Sequence, residues 1–289
     1  MNAWVAVTDL NWFDFLSQQE NVDEVNFWQP NPWGGQVRVL RRGELMLFKL
    51  KSPRNAIAGG GFFEYYVNLP ISVAWDSFGR KNGAASLHEL RQSIVGLKRR
   101  EVAWYEDFTI GCFILVEPFF WPREWWIPQP EDFSSAIIRG KRYDLTKGTG
   151  ARLWQQVLER LQAAGPQRAG QAELIAGGYS DPVLGRRRIG QGTFRVALLE
   201  VYERQCAVTR EKAVPALEAA HIRPFAEVET HYVRNGLLLR SDLHRLFDTG
   251  YITVTPDLHV EASARMRDDF NDGENYMKLH GSEIWVPNK

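Results

Sequence analysis

Five side chains in the last third of the chain are of types that could do chemistry together: Glu218-x2-His221-x13-Asn235-x8-His244-x3-Asp248. A neutral imidazole titrates near neutrality and takes a proton from water at working pH, which makes His221 a candidate general base. A divalent metal would neutralise the charge that builds on an oxyanion, and His244 and Asp248 are residue types that hold one. Glu218 could be a third ligand or could anchor a ligand from outside the coordination sphere. An amide at Asn235 could orient the His221 ring through a hydrogen bond. A base and a single metal together suit hydrolysis of a phosphodiester.

These groups meet only if the chain between them turns back on itself. Glu218 to Ile222 reads as a half-buried strand ending at His221, and Arg223-Pro224 breaks it. After Asn235-Gly236, Leu237 to Leu239 is a second short apolar strand, and Ser241 is a candidate N-cap for a helix that stops at Gly250. His244 and Asp248 are four apart and share a helix face. Leu243, Leu246 and Phe247 give that helix an apolar, anchoring face. The expected order is strand, loop, strand, helix. Singly, a histidine on a strand or an Asn-Gly pair is commonly structural; five such positions in this order carry the functional reading. His88, His231, His259 and His280 fall outside the pattern.

The pattern resembles that of the HNH endonucleases, which have a ββα-metal fold, including their colicin-nuclease branch. The text from Arg195 through Cys206-Ala207-Val208-Thr209 to Val254 is similar to the branch found in bacterial restriction-type nucleases. The resemblance implies catalytic roles for His221, Asn235 and His244, as first His, middle Asn and last His. It also implies a divalent ion, Mg²⁺ or Mn²⁺ with Ni²⁺ or Zn²⁺ as alternatives, on His244, Asp248 and Glu218. The chain departs from the family at Ala220, where a second His or an Asp often precedes the base. Some relatives staple the fold with a four-cysteine zinc; here Cys112 and Cys206 are the only cysteines and form no CxxC pair, so no such zinc and no disulfide framework is expected.

Ten of the eleven tryptophans lie in residues 1–154 and five of the six histidines lie after 220, which argues for two domains with different tasks. A chain of 289 residues is long enough to bury two cores. Ala3 to Val7 reads as a strand and Trp12 to Gln19 as a short helix. Gln36 to Leu40 and Glu44 to Leu50 alternate like a hairpin around Arg41-Arg42-Gly43, and Phe62 to Leu69 is an aromatic strand preceded by Gly59-Gly60-Gly61. Ser72 to Phe78 and Leu87 to Leu97 look helical, and Gly111 to Glu117 is a buried strand. The expected fold class is α+β: a small, partly open β-barrel with helical insertions over 1–150, a helical linker over 151–185, and a nuclease domain over 186–289. Within that last part, Thr193 to Arg204 reads as an amphipathic helix packed under the site.

The N-terminal half resembles the PUA superfamily, more narrowly EVE or ASCH domains, on the text WVAVTD at Trp4 to Asp9, RRGELMLFKLKSP from Arg41 to Pro53, and the glycine-rich stretch before Phe62. That resemblance implies a reader of flipped, modified bases. A pocket of this kind needs aromatic faces and a few polar edges. Trp28, Trp33, Phe62, Phe63 and Trp75 are the candidate walls, and Asn31, Ser52, Asn55 and Asp76 the candidate edge contacts. Aromatics at this density also build cores. Trp28 and Trp33 stand apart because their text, NFWQPNPWGG, is that of a loop.

Net charge is zero, yet residues 152–245 hold 14 Lys and Arg against 10 Asp and Glu, and residues 246–289 hold 4 against 8. Arg186, Arg187, Arg188, Arg195 and Arg223 are candidate phosphate contacts, although a basic run can equally be a solvated face; phosphate contacts of this kind would make binding steeply salt-dependent. No apolar run approaches the ~20 residues of a membrane span. The first residues carry Asp where a secretory signal carries Lys or Arg, so a cytoplasmic protein with no membrane partner is expected. The combined expectation is a modification-dependent endonuclease of double-stranded DNA, of the restriction or defence type. One HNH site cuts one strand at a time, so a double-strand break calls for a homodimer. Two alternatives stay open: an N-terminal half that senses another ligand or phosphate-modified DNA, and an inactive scaffold that binds DNA or RNA.

Overall fold

The computed structural model describes residues 1–34, 39–98, 100–164, 190–223, 233–270 and 273–287. The chain divides into two compact units, Met1–Arg188 and Ile189–Lys289. The fold class is α+β.

In the first unit, β1 (Asn2–Thr8), β2 (Glu24–Gln29), β3 (Leu45–Leu50), β4 (Ala56–Pro70), β5 (Thr109–Phe120), β6 (Ile127–Pro128) and β7 (Gly140–Asp144) form one sheet. Its order is β2-β5-β4-β3-β1-β7, with β6 added on β4. β1 and β3 run parallel and the other neighbours antiparallel. The sheet is open, with β2 and β7 as its edges, and this corrects the expected barrel. The physical reason lies in the strand text. A barrel has one interior, whereas a run such as Leu45–Leu50 is buried at every position, the mark of a sheet covered on both faces.

Period-2 alternation divides the strand residues between two cores. Ala3, Val5, Leu45, Leu47, Ile57 and Phe62 enter one, while Ala6, Met46, Phe48, Ala58 and Phe63 enter the other. α1 (Leu10–Ser17), capped by the Asp9 carboxylate accepting from the Asn11 N–H, covers the second face with Trp12, Phe13 and Leu16. α4 (Gly148–Ala163) covers the first with Leu153, Val157 and Leu161. The helix expected as part of a linker is therefore part of this unit's core; residues 165–185 of that expected linker, and Gln36 to Arg38 of the expected hairpin, lie outside the described residues.

Gly59, Gly60 and Gly61 lie within β4, not in a turn. A Cβ on Gly59 would overlap the Phe119 carbonyl, and one on Gly60 would come within 2.7 Å of the Met46 carbonyl oxygen. Glycine here lets neighbouring backbones approach. Phe62 and Phe63, 0% and 5% exposed, follow on opposite faces. They are core residues, which removes them as pocket walls. α2 (Ile71–Phe78) and α3 (Leu87–Val95) form where the sequence placed them.

The second unit is built on α5 (Gln191–Val201), β8 (Leu217–His221), β9 (Gly236–Arg240) and α6 (Ser241–Asp248), followed by β10 (Ile252–Val254) and β11 (Val260–Ala262). β8 and β9 pair antiparallel, with His221 opposite Gly236. A Cβ on Gly236 would lie 2.7 Å from both Phe194 and Leu198 of α5. This glycine is needed for clearance, since it is where the hairpin meets the helix beneath it. Cys206 is fully buried, and its sulfur accepts the N–H groups of Thr209 and Arg240 at 3.5 and 3.4 Å. Among the described residues no helix is long and apolar enough to cross a membrane.

The packing of α4 gives a stability prediction. Leu161→Ala should destabilise the first unit by about 2–5 kcal/mol, as deletions of fully buried leucine side chains do, read as a lower midpoint in urea unfolding. An unchanged midpoint would mean that α4 is not part of this core.

Candidate functional site

His221 ends β8, and its ring lies nearly flat on the buried Phe194 ring, with centroids 4.4 Å apart and planes 13° from parallel. Burial, the largest cause, lowers its pKa below 6.5; nearby His244 lowers it further, and the Asp248 carboxylate partly opposes both. These surroundings favour the neutral ring, the form that a general base needs.

His244 sits on α6, which leaves β9 without an intervening loop. The cap position is Arg240, with no side-chain cap bond, so Ser241 is the first helical residue and not the cap. Arg240 instead forks onto Asp242 in the first turn at 2.6 and 2.7 Å, and Tyr276 donates to the same carboxylate. His244 Nδ1 is 2.7 Å from Glu218 Oε2, and its Nε2 is 3.3 Å from Asp248 Oδ2. The Asn235 amide binds backbone: its Oδ1 accepts the Arg223 N–H at 2.9 Å and its Nδ2 donates to the Arg223 carbonyl at 3.0 Å. Its backbone carbonyl also accepts from Ile222. Asn235 therefore fixes the chain that carries His221, where a bond to the ring itself was expected.

The resemblance to HNH endonucleases implies a divalent metal, and the donor set can be tested for it. The two nitrogens of one imidazole face opposite ways, so a single ion takes only one of them. Glu218 and Asp248 occupy opposite nitrogens, and among the described residues no group of three or more His, Cys, Asp and Glu is arranged to hold a metal. Asp248 and His244 both act on the titration of His221, and Asp248 meets His244 at Nε2. The arrangement fits His244 and Asp248 as two protein ligands. Glu218 then grips the Nδ1–H, the anchoring alternative rather than the third-ligand one. Ala220 is fully buried and supplies nothing to the site.

Glu218, Ser241, His244, Arg245, Asp248 and Tyr276 line a cleft of about 720 Å³; His221 is not on its wall. Arg245 is an exposed guanidinium that the sequence reading missed, although its position directly after His244 could have pointed to it. Arg223 is exposed beside the base. Arg195 is half-buried and donates to the Leu217 carbonyl at 3.2 Å, which braces β8. Arg186, Arg187 and Arg188 lie outside the described residues.

The first unit holds a cavity of about 850 Å³, whose walls include Trp12, Phe27, Trp28, Asn31, Lys51 and Arg139. Trp28 is the penultimate residue of β2 and donates its ring N–H to the Asn82 carbonyl at 3.0 Å, which holds the indole in place. Asn82 is itself buried and bound to Asn26, Ala74 and Gly79. Asp9 also lines the cavity and pairs with Lys51 at 2.9 Å. Burial works against its ionisation, but Lys51 and the N–H groups of Asn11 and Trp12 hold its carboxyl below the usual range.

Of the other expected pocket residues, Trp33 packs edge-on against Phe113 at 5.6 Å and carries the Arg139 guanidinium over its ring at 5.1 Å. It supports a wall residue without lining the cavity. Trp75 and Asp76 lie on α2, Ser52 is exposed after β3, and Asn55 accepts from Lys49 at 3.0 Å; none of these four lines the cavity. Asp9, Lys51 and Arg139 were missed, although an Asp directly after a strand was a legible cap signal.

Residues 206–255 match the HNH endonuclease family. That span holds all five candidate chemical residues. Among solved structures, ASCH from Zymomonas mobilis is similar over 52% of this chain and 93% of its own, at 12% identity and a TM-score of 0.32. The TagI modification-dependent restriction endonuclease is similar over 98% of this chain and 74% of its own, at 14% identity and a TM-score of 0.25. No curated protein matches the chain.

The environment of His221 makes a signed pH prediction. In metal-free protein, its NMR titration midpoint should lie below 6.5 and fall further in Asp248→Asn, which removes the one charge that raises it. Because the folded pKa is the lower one, the unfolded chain binds the extra proton. The stability contribution is full above 6.5 and is lost as pH falls through the folded value. A midpoint at or above 6.5 would contradict this.

Proposed function

We propose that the chain is a modification-dependent DNA endonuclease of the restriction type, in which the first unit reads a modified base and the second hydrolyses a phosphodiester bond. The observation that carries the nuclease half is a His221 ring stacked flat on Phe194, with His244 in the same site held at both ring nitrogens by carboxylates. His221 takes a proton from the attacking water. Asn235 keeps the chain that presents it in place, and Arg223 and Arg245 neutralise the phosphate being cut. His244 and Asp248 would hold a divalent metal, Mg²⁺ or Mn²⁺, with Glu218 orienting His244. When bound, the metal supplies charge neutralisation at the phosphate and at the departing oxygen.

The reading half rests on the cavity. Trp28 offers an aromatic face held from behind, and Asn31, Asp9, Lys51 and Arg139 offer polar edges around it. A modified base flipped from double-stranded DNA is the ligand that this mixture suits. Two copies of the chain would cut both strands.

Two measurements test these assignments. Matched plasmids, unmodified or carrying 5-methylcytosine or 5-hydroxymethylcytosine, should be cut with Mg²⁺ or Mn²⁺ only when modified, and His221→Ala should slow cutting by about 10²–10⁴-fold. Equal cutting of all plasmids would leave the nuclease and remove the base reader; DNA binding without any cutting would favour an inactive scaffold. Separately, Glu218→Gln should weaken Mn²⁺ binding about 10–100-fold in calorimetric titration, while Asp248→Ala should weaken it more. The reverse order would make Glu218 the ligand.

A further inference from the structure

We propose that Trp104 and Tyr105 form a wedge that enters the duplex where a base leaves for the neighbouring cavity; this rests on the base-reading role proposed above. Trp104 is 86% and Tyr105 75% exposed, so both rings stand in water. An unused floppy loop would not be held as this one is. The Arg91 guanidinium donates to the carbonyls of Ala103 and Glu106 on either side of the pair, and the Glu106 N–H closes back on the Ala103 carbonyl at 3.0 Å. Arg100 pairs with the Glu106 carboxylate. Two aromatic rings are therefore presented to solvent on a clamped backbone.

The loop is also tied to the cavity. Leu97, at its start, lines the cavity wall, and the Lys98 ammonium donates to the carbonyl of Pro30, another wall residue. Ile138 on the same wall is 82% exposed, so the cavity is bordered by exposed apolar side chains as well as polar ones. In sequence Lys98, Arg99 and Arg100 precede Glu101, Glu106 and Asp107, so the stretch is mixed in charge, with Lys98 and Arg100 as its described cations. Aromatic rings beside cations fit a nucleic-acid strand, because every base has a face to stack on and every linkage a negative charge.

The pair's own geometry assigns the roles. The ring centroids are 5.6 Å apart and the planes stand at 88°, so both rings cannot lie in one base stack. One inserts and the other braces it edge-on. Trp104 is the more exposed and has the larger face, so it is the inserting ring. Apolar side chains that enter a base step in this way offset part of the cost of unstacking.

The test uses the full chain in EDTA, so that binding is read without cutting. Duplexes carry cytosine, 5-methylcytosine or 5-hydroxymethylcytosine at one position, either paired with guanine or mismatched with adenine. A mismatch lowers the cost of extruding the base, so a wedge matters less there. Trp104→Ala should bind the preferred paired duplex about 10–100-fold more weakly, with Tyr105→Ala affected less, Trp104→Phe recovering part, and the mismatch restoring most of the loss. Equal losses on paired and mismatched duplexes would make the pair an ordinary contact and overturn the wedge. If Trp28→Ala weakens binding while Trp104→Ala binds like wild type, the wedge falls and the reader stands. If no modification is preferred and Trp28→Ala binds like wild type, the reader falls and the wedge with it. Both loop residues are exposed, so these variants should fold, which an unchanged thermal melt verifies.

Discussion

The chemistry of the second unit depends on how closely α5 approaches the β8–β9 hairpin. Gly236 makes the approach possible, since any side chain there would meet Phe194 and Leu198. The approach brings Phe194 flat beneath His221, directly across the ladder from Gly236. The same helix and its exit clamp the hairpin from below: Arg195 donates to the Leu217 carbonyl, and the Tyr202 hydroxyl to the Gly236 carbonyl at 3.3 Å. A stacked ring is fixed in orientation and stripped of water on one face, and both effects suit a base. Desolvation disfavours the imidazolium, and stacking fixes the plane of the ring.

Much of this unit was legible because its elements are short and sharply bounded. One strand ends at His221, Leu237 to Leu239 lie in the next, and the spacing of His244 and Asp248 needs only helical geometry. The role of Phe194 was not legible, because it is a relation between a helix and a strand far apart in sequence. The clearance role of Gly236 was not legible for the same reason: clearance leaves no local signature. Asn235 was assigned the right neighbourhood and the wrong partner, since an amide beside a broken strand end finds the backbone N–H and carbonyl of Arg223 first. Such local side-chain to backbone bonds compete well with any distant ring.

In the first unit the strands were legible and their enclosure was not. Alternation tells which residues share a face; it does not tell whether one face or both are covered. The fully buried text of β3 was the available clue, and it implies a two-sided sheet with α1 and α4 as its covers. Once both faces are core, most aromatics of this half are accounted for, Phe62 and Phe63 among them. Trp28 escapes because it lies at the end of an edge strand, where the sheet stops covering it. Its indole is held by Asn82, a buried amide that joins β2 to the turn after α2. A rigid aromatic face beside the Asp9–Lys51 pair thus follows from a polar knot behind the sheet edge, which pattern reasoning about apolar residues does not see.

The departure at Ala220 has a physical resolution in the strand itself. β8 places Glu218 and Ala220 on the same face by period-2 alternation, and Ala220 is spent on the core opposite Leu237. Glu218, nearer the start of the strand and half exposed, reaches the helix that Ala220 cannot. Glu218 meets the His244 ring at Nδ1 and Asp248 meets it at Nε2. A carboxylate that sets the direction of a ligand can do for the site what an additional ligand does elsewhere, and it leaves more of an ion's positions to water and phosphate. His221, Asn235 and His244, with Glu218 against His244, therefore remain a candidate site despite the alanine.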